Sequence, residues 1–186
     1  MSDKQISKSR RSFILVIAVF VVPVVLAKLA LDNQWFNYGV TNHGELVDNQ
    51  LTLTDLGLEN KDFEDKWLML YNVPQDCDVN CQEALKSVDS TYVLLGKYMP
   101  RVTPVALTSK ELSPEQLAQI RTSMWQVIPM PEKAKKRLVE TQVVIVDPLK
   151  NIVLSHQMPK DKEALDQLSK AILADMKKLL KYSRIG

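Results

Sequence analysis

The chain is poor in reactive residues. It has two cysteines in 186 residues, Cys77 and Cys81, and two histidines, His43 and His156. One bridge is no disulfide framework, so a domain of this length must draw its stability from packing. Glycine is scarce at five, and no Gly-rich phosphate loop can be found. No Ser/His/Asp set is recognisable, and no repeat or low-complexity stretch appears. Adjacent acids such as Glu64 and Asp65 precede an apolar run and read as solvated loop.

What is abundant is apolar sequence, unevenly placed. Phe13–Ala27 reads "FILVIAVFVVPVVLA", and "KLAL" extends it past Lys28. Residues 12–31 are about the length a helix needs to cross a bilayer. Lys4, Lys8, Arg10 and Arg11 precede the run with Asp3 as the lone acid. The positive-inside rule then holds residues 1–11 in the cytoplasm and exports the remainder. Lys28 can snorkel, and Trp35, Phe36 and Tyr38 stand where an aromatic belt would. A cleaved signal peptide is the alternative, with "VLA" (Val25–Ala27) as its cleavage site and Pro23 breaking the helix before it. No cysteine follows the run closely, so no lipid-modified cysteine is expected. Removing five basic residues and one acid from the chain's 24 and 22 leaves 19 against 21. The exported part is therefore slightly acidic. The one basic cluster, "KAKKR" (Lys133–Arg137), reads as a solvated helix face, so nucleic acid is not an expected partner.

Residues 32–50 read as a tether, and 51–186 as the folded domain. "LTLTDLGL" (Leu51–Leu58) alternates apolar and polar, predicting a strand or hairpin arm with a turn at Gly57. "KWLMLYNV" (Lys66–Val73) is apolar almost throughout, as in a central strand, and Pro74 ends it. Cys81, Leu85, Val88, Tyr92 and Leu95 form one helical stripe within 78–97. "RVTPVALT" (Arg101–Thr108) is a second strand, with Pro104 predicting an irregular or edge position. Ser113 and Pro114 open a helix in "SPEQLAQIRTS". "TQVVIVDP" and "IVLSH" form a hairpin about "LKN". A long amphipathic helix runs from Asp161 to about Lys181. Strands joined through helices, with a closing hairpin, predict an α/β fold: a thioredoxin-like mixed central sheet of four or five strands flanked by helices.

That architecture places Cys77 and Cys81 after the first central strand, where a helix begins. Unsatisfied N–H groups and the helix dipole favour a thiolate there. If both are helical, their sulfurs share a face and can meet or hold a soft cation. Cys77 stands at the exposed end and Cys81 on the buried stripe, an asymmetry suited to thiol exchange. Asp76, Asp78 and Glu83 work against a thiolate. Thiol redox chemistry, a soft metal and a plain local disulfide all remain open.

"KWLMLYNVPQDCDVNC" resembles the Gly-Lys-Trp, strand, Cys-x-x-x-Cys block of the Sco (SCO1/SenC) family. "VVIVDPLKNIVL" is similar to that family's strand, Asp-Pro and turn hairpin. "NHGELVDNQLTLTDLGL" is most similar to short membrane-anchored Sco-like proteins that accompany cytochrome oxidase in proteobacteria. The resemblance covers roughly residues 45–182. It implies an anchored periplasmic factor in the bacterial inner membrane that delivers Cu(I) to, or reduces the cysteines of, the copper-A site of cytochrome c oxidase. It also implies Cys77 and Cys81 as the sulfur ligands, and oxidase subunits or assembly factors as partners.

The chain departs from that pattern in several places. Glu140, Thr141 and Gln142 stand where the family carries its ligand histidine. Gln82 replaces a proline, and Asn72, Val73 and Pro74 replace Gly-Tyr-Thr. An acidic motif is missing from "LTSKELSPEQ", and thioredoxin's cis-proline has no counterpart. His156, after the hairpin's second strand, and His43, in the tether, are the remaining histidine candidates for a metal. Met158 is a soft-ligand candidate, Met99 and Met130 lie at loop edges, and Met69 is core. Three functions stay open: an oxidase accessory protein with copper or thiol handling, a periplasmic thiol–disulfide oxidoreductase, and a non-catalytic module with a structural bridge. Turnover catalysis is not the expectation.

Overall fold

The computed structural model describes residues 3–33, 42–47, 51–59, 63, 65–118, 124–138 and 141–185. The aromatic trio Trp35, Phe36 and Tyr38, Glu64, Glu140 and most of the expected tether lie outside the described residues. Two compact units are present, residues 1–41 and 42–186.

The first unit is a helix, α1 (Asp3–Asp32), that runs unbroken through Pro23. The break that the signal-peptide alternative places at that proline does not occur. Within it, Ser12–Ala30 has a mean hydropathy of 2.8, long and apolar enough to cross a membrane. Its Phe13, Leu15, Phe20 and Val24 side chains are exposed, unlike those of a core helix.

The second unit is built on a six-stranded mixed sheet. Its strands are β1 (Glu45–Leu46), β2 (Trp67–Asn72), β3 (Val102–Thr108), β4 (Gln126–Pro129), β5 (Gln142–Val146) and β6 (Ile152–Gln157). Their spatial order is β1-β6-β5-β2-β3-β4. β2, β3 and β4 are parallel, while β5, β6 and β1 continue the sheet antiparallel. Every residue of β2 and β3 is buried, as the apolar runs predict for strands covered on both faces.

Alternation along β2 divides the core. Trp67, Met69 and Tyr71 join Val143, Ile145 and Leu154 beneath α2 (Val79–Val93) and α5 (Lys162–Tyr182). The expected stripe packs here, with Cys81, Leu85, Val88, Tyr92 and Leu95 all buried. Leu68 and Leu70 point the other way, toward Leu53, Leu56, Leu58, Phe63 and the short helix α4 (Glu132–Arg137). On α4, Ala134 is buried while the lysines and arginine are exposed, as expected of a solvated basic face.

Four features differ from expectation. The alternating segment 51–58 is a turn with a single bridge from Thr52 to Asn151, and not a strand. Asp55 accepts from the Thr52 amide and hydroxyl at 2.9 and 2.8 Å, and such local bonds compete with a ladder. These hydrogen bonds also hold the Asp55 carboxyl below its usual range. Gly57 adopts φ +76° at the end of the turn.

Pro104 lies in a central strand. Leu107 O faces β2, accepting from Val73 N, and Thr108 O faces β4, accepting from Met130 N. By alternation Pro104 faces the β4 side. β4 pairing starts only at Val105, so no ladder bond is lost there. Third, β4 had no expected counterpart. It is four residues long, and all but Ile128 are exposed. Fourth, α3 (Pro114–Leu117) begins at the expected Ser113 cap and is one turn long; residues 119–123 of the expected helix lie outside the described residues.

The globular unit also starts earlier than residue 51. β1 pairs with β6, and the buried Asp175 of α5 accepts from the His43 and Gly44 amides at 2.9 Å each.

Candidate functional site

β2 ends at Asn72 because Pro74 cannot continue the ladder. Val73 still donates to Leu107 O at 3.0 Å, extending the pairing with β3 by one bond. A four-residue loop then leads to Asp78, the N-cap of α2, whose carboxylate accepts from the Cys81 amide at 3.0 Å. Cys77 therefore precedes the cap and lies outside the helix, while Cys81 is in its first turn. The two do not share a helical face as i and i+4. Asp78 turns the chain between them, and the sulfurs are joined in a disulfide with Cα atoms 5.0 Å apart. Cys77 is half-buried and Cys81 is buried.

The loop is fixed from outside by α3. Ser113 and Gln116 form a reciprocal capping box, and the Gln116 amide nitrogen also donates to the Cys77 carbonyl at 3.2 Å. Lys110 reaches Asp76 at 3.1 Å, but both side chains are largely exposed, so this pair adds little. Gln116 had no role in the sequence reading. Its signal there was the Ser-x-x-Gln spacing, which marks a cap and not a contact 39 residues away.

On its other side the disulfide borders a groove of about 580 Å³. It is lined by Tyr71, Asp78, Cys81, Thr141, Met158 and Pro159, among others. The structure thus brings the soft-ligand candidate Met158 to the same groove as Cys81. The Thr141 carbonyl fixes that loop by accepting from Met158 N at 2.9 Å.

His156 is placed elsewhere. It is buried under α5, with Nε2 3.4 Å from Asp175 Oδ2. Burial is the largest influence and pushes the imidazole below its usual value. Asp175 raises it, and His43 opposes protonation. His43 contributes its backbone to the same cluster while its side chain is exposed. Gly44 fits because a Cβ there would come within 2.7 Å of the His156 ring. Asp175 was legible only as an acid on the apolar stripe of α5, three residues after Ile172. Among the described residues no group of three His, Cys, Asp or Glu could hold a metal ion, and no peptide bond is cis.

The family model described as "transmembrane-like, thioredoxin-like, C-terminal domain" matches residues 67–183. Among solved structures, apo Sco1 from Thermus thermophilus aligns with a TM-score of 0.53 at 14% identity, covering 77% of this chain and 99% of that one. A SCO1/SenC family lipoprotein from Bacillus anthracis gives 0.48 at 13%, covering 63% and 83%. Copper-bound ScoI of Arabidopsis thaliana gives 0.45 at 14%, covering 61% and 85%. No curated protein matches significantly. The first of these alignments carries a likeness of fold. A mixed sheet with its cysteine pair at the β2–α2 junction, and a family model spanning most of that sheet and α5, lead to one assignment: the chain belongs to the transmembrane-like, thioredoxin-like C-terminal domain family.

Proposed function

We propose that the protein is a membrane-anchored, Sco-like accessory factor of cytochrome c oxidase, exposing its sheet domain to the periplasm and handling thiols or copper at Cys77 and Cys81. The carrying observation is the disulfide where β2 hands over to α2, with one cysteine half-buried and the other buried. Thiol exchange uses that asymmetry. An incoming thiolate attacks Cys77, and Cys81 leaves. Copper enters as cargo, not as a resident cofactor. Reduced, the two cysteines offer Cu(I) the soft thiolates it prefers, and Met158 offers a thioether from the same groove. His156, engaged with Asp175, is the weaker candidate.

The test is anaerobic Cu(I) titration of the reduced full chain in detergent. A single bound equivalent is expected, lost in Cys77→Ser and in Cys81→Ser and weakened in Met158→Leu. Binding unchanged in both cysteine variants overturns copper handling. A second reading, a docking module stapled by its bridge, is favoured by the closed disulfide and by Asp76 and Asp78 beside it. A reduction potential below about −300 mV would favour the staple, and a higher one the exchange reading.

A further inference from the structure

One polar group of the groove that the disulfide borders is used by nothing described above. The Tyr71 hydroxyl is buried and has no hydrogen-bond partner among the described residues, in a residue that is wholly buried. Burial, reinforced by the Asp78 carboxylate, keeps the phenol protonated far above its usual range. Tyr71 is therefore a sealed donor without an acceptor, a condition native cores rarely tolerate without a reason.

Its neighbours narrow the reason. Tyr71 lies in the same apolar cluster as Cys81 and lines the same groove. Asp78, whose charge it feels, spends one oxygen on the Cys81 amide. The Thr141 carbonyl in that groove already accepts from Met158. Among the described residues that line the groove, the group that gains acceptor strength in a change of state is the Cys81 sulfur. In the disulfide it is a weak acceptor, and as a thiolate it is an anion needing a donor.

We propose that the Tyr71 hydroxyl donates a hydrogen bond to the Cys81 sulfur once the disulfide is opened, and so makes the pair easier to reduce. The inference rests on reading Cys77 and Cys81 as an exchanging pair. A dithiol reductant supplies the electrons. Its thiolate attacks Cys77 Sγ, the Cys77–Cys81 bond breaks, and Cys81 departs as a thiolate facing Tyr71. The reductant's second thiol loses its proton and attacks the mixed disulfide, which frees Cys77. The reductant ends as a disulfide, and two electrons and one proton have passed to the protein, leaving Cys77 a thiol and Cys81 a thiolate. Tyr71 keeps its own proton throughout and acts as a positioning residue.

The experiment equilibrates the full chain in detergent with dithiothreitol redox buffers and counts free thiols. Tyr71→Phe is expected to shift the exchange constant about tenfold toward the disulfide, or ~30 mV for a two-electron couple. In a Cys77→Ser background, Tyr71→Phe should also move the thiolate absorbance titration of Cys81 to higher pH. Tyr92→Phe, a buried tyrosine of the same cluster that does not line the groove, should leave both readings unchanged. An exchange constant for Tyr71→Phe within about twofold of wild type overturns the proposal. An equal shift in Tyr92→Phe does so too, as does loss of folding in Tyr71→Phe. Neither copper nor an oxidase takes part, so this result and that of the copper titration stand apart.

Discussion

At the scale of single residues, the region around Asp175 makes the firmest forecasts. Its carboxylate holds the His43 and Gly44 amides and faces the buried His156 ring. Gly44→Ala would drive a methyl into that ring and should cost about 1–3 kcal/mol, the range for overpacking, read by urea denaturation. His156 also gives the fold a pH dependence of definite sign. Its folded-state value lies below the ordinary 6.5 because burial disfavours the cation. The unfolded chain therefore binds the extra proton first, and its contribution is intact above pH 6.5. Stability should fall as pH drops below that point, until the folded-state value is reached. His156→Gln should flatten this part of the stability–pH curve, measured by denaturation between pH 5 and 8 on the order of half-unit steps. A curve equally steep in the variant would assign the dependence to another group.

At the scale of elements, two helix ends are set by side chains. Asp78 caps α2, so Asp78→Ala should cost about 1 kcal/mol, seen as a lower urea midpoint. Arg101 donates to Leu180 O at 2.7 Å, Ser183 O at 3.1 Å and Ile185 O at 2.9 Å, closing the C-terminal end of α5. Arg101→Met should cost about 1.5–3 kcal/mol, as for hydrogen bonds to a charged group. It should also speed amide exchange in the last turn of α5. Elements with strong periodicity were readable in the sequence: β2, the stripe of α2, the β5–β6 hairpin and α5. Those fixed by a single contact were not. The turn at 51–58 depends on Asp55 reaching Thr52, which outweighed the apparent alternation. β4 presents only Ile128 to the core and borrows its order from β3. For the site, the cysteines and the strand before them could be read, because Pro74 and the apolar run mark the junction. The cap between them, the clamp from Gln116 and the solitary hydroxyl of Tyr71 arise only when distant segments meet.

At the scale of the whole molecule, charge and hydropathy divide the chain in two. The basic end and the apolar helix belong together, and the domain beyond is slightly acidic. The protein should stay with membranes through alkaline carbonate extraction, and removal of residues 1–31 should release it. Extraction of the full chain into the soluble fraction would instead indicate cleavage or a peripheral association.

The sheet register carries one more consequence. Tyr71 pairs with Val143, Val143 with His156, and Glu45 with Ser155 beside it. β1 thus begins at the same rim as the sulfurs, three strands across from β2, or about 14 Å at the usual interstrand spacing. The opposite rim carries the Asp147–Lys150 turn. Any protein that reaches Cys77 therefore approaches the rim at which β1 begins, so a bulky group attached at the exposed Glu45 should throttle access to the sulfurs while leaving the fold untouched.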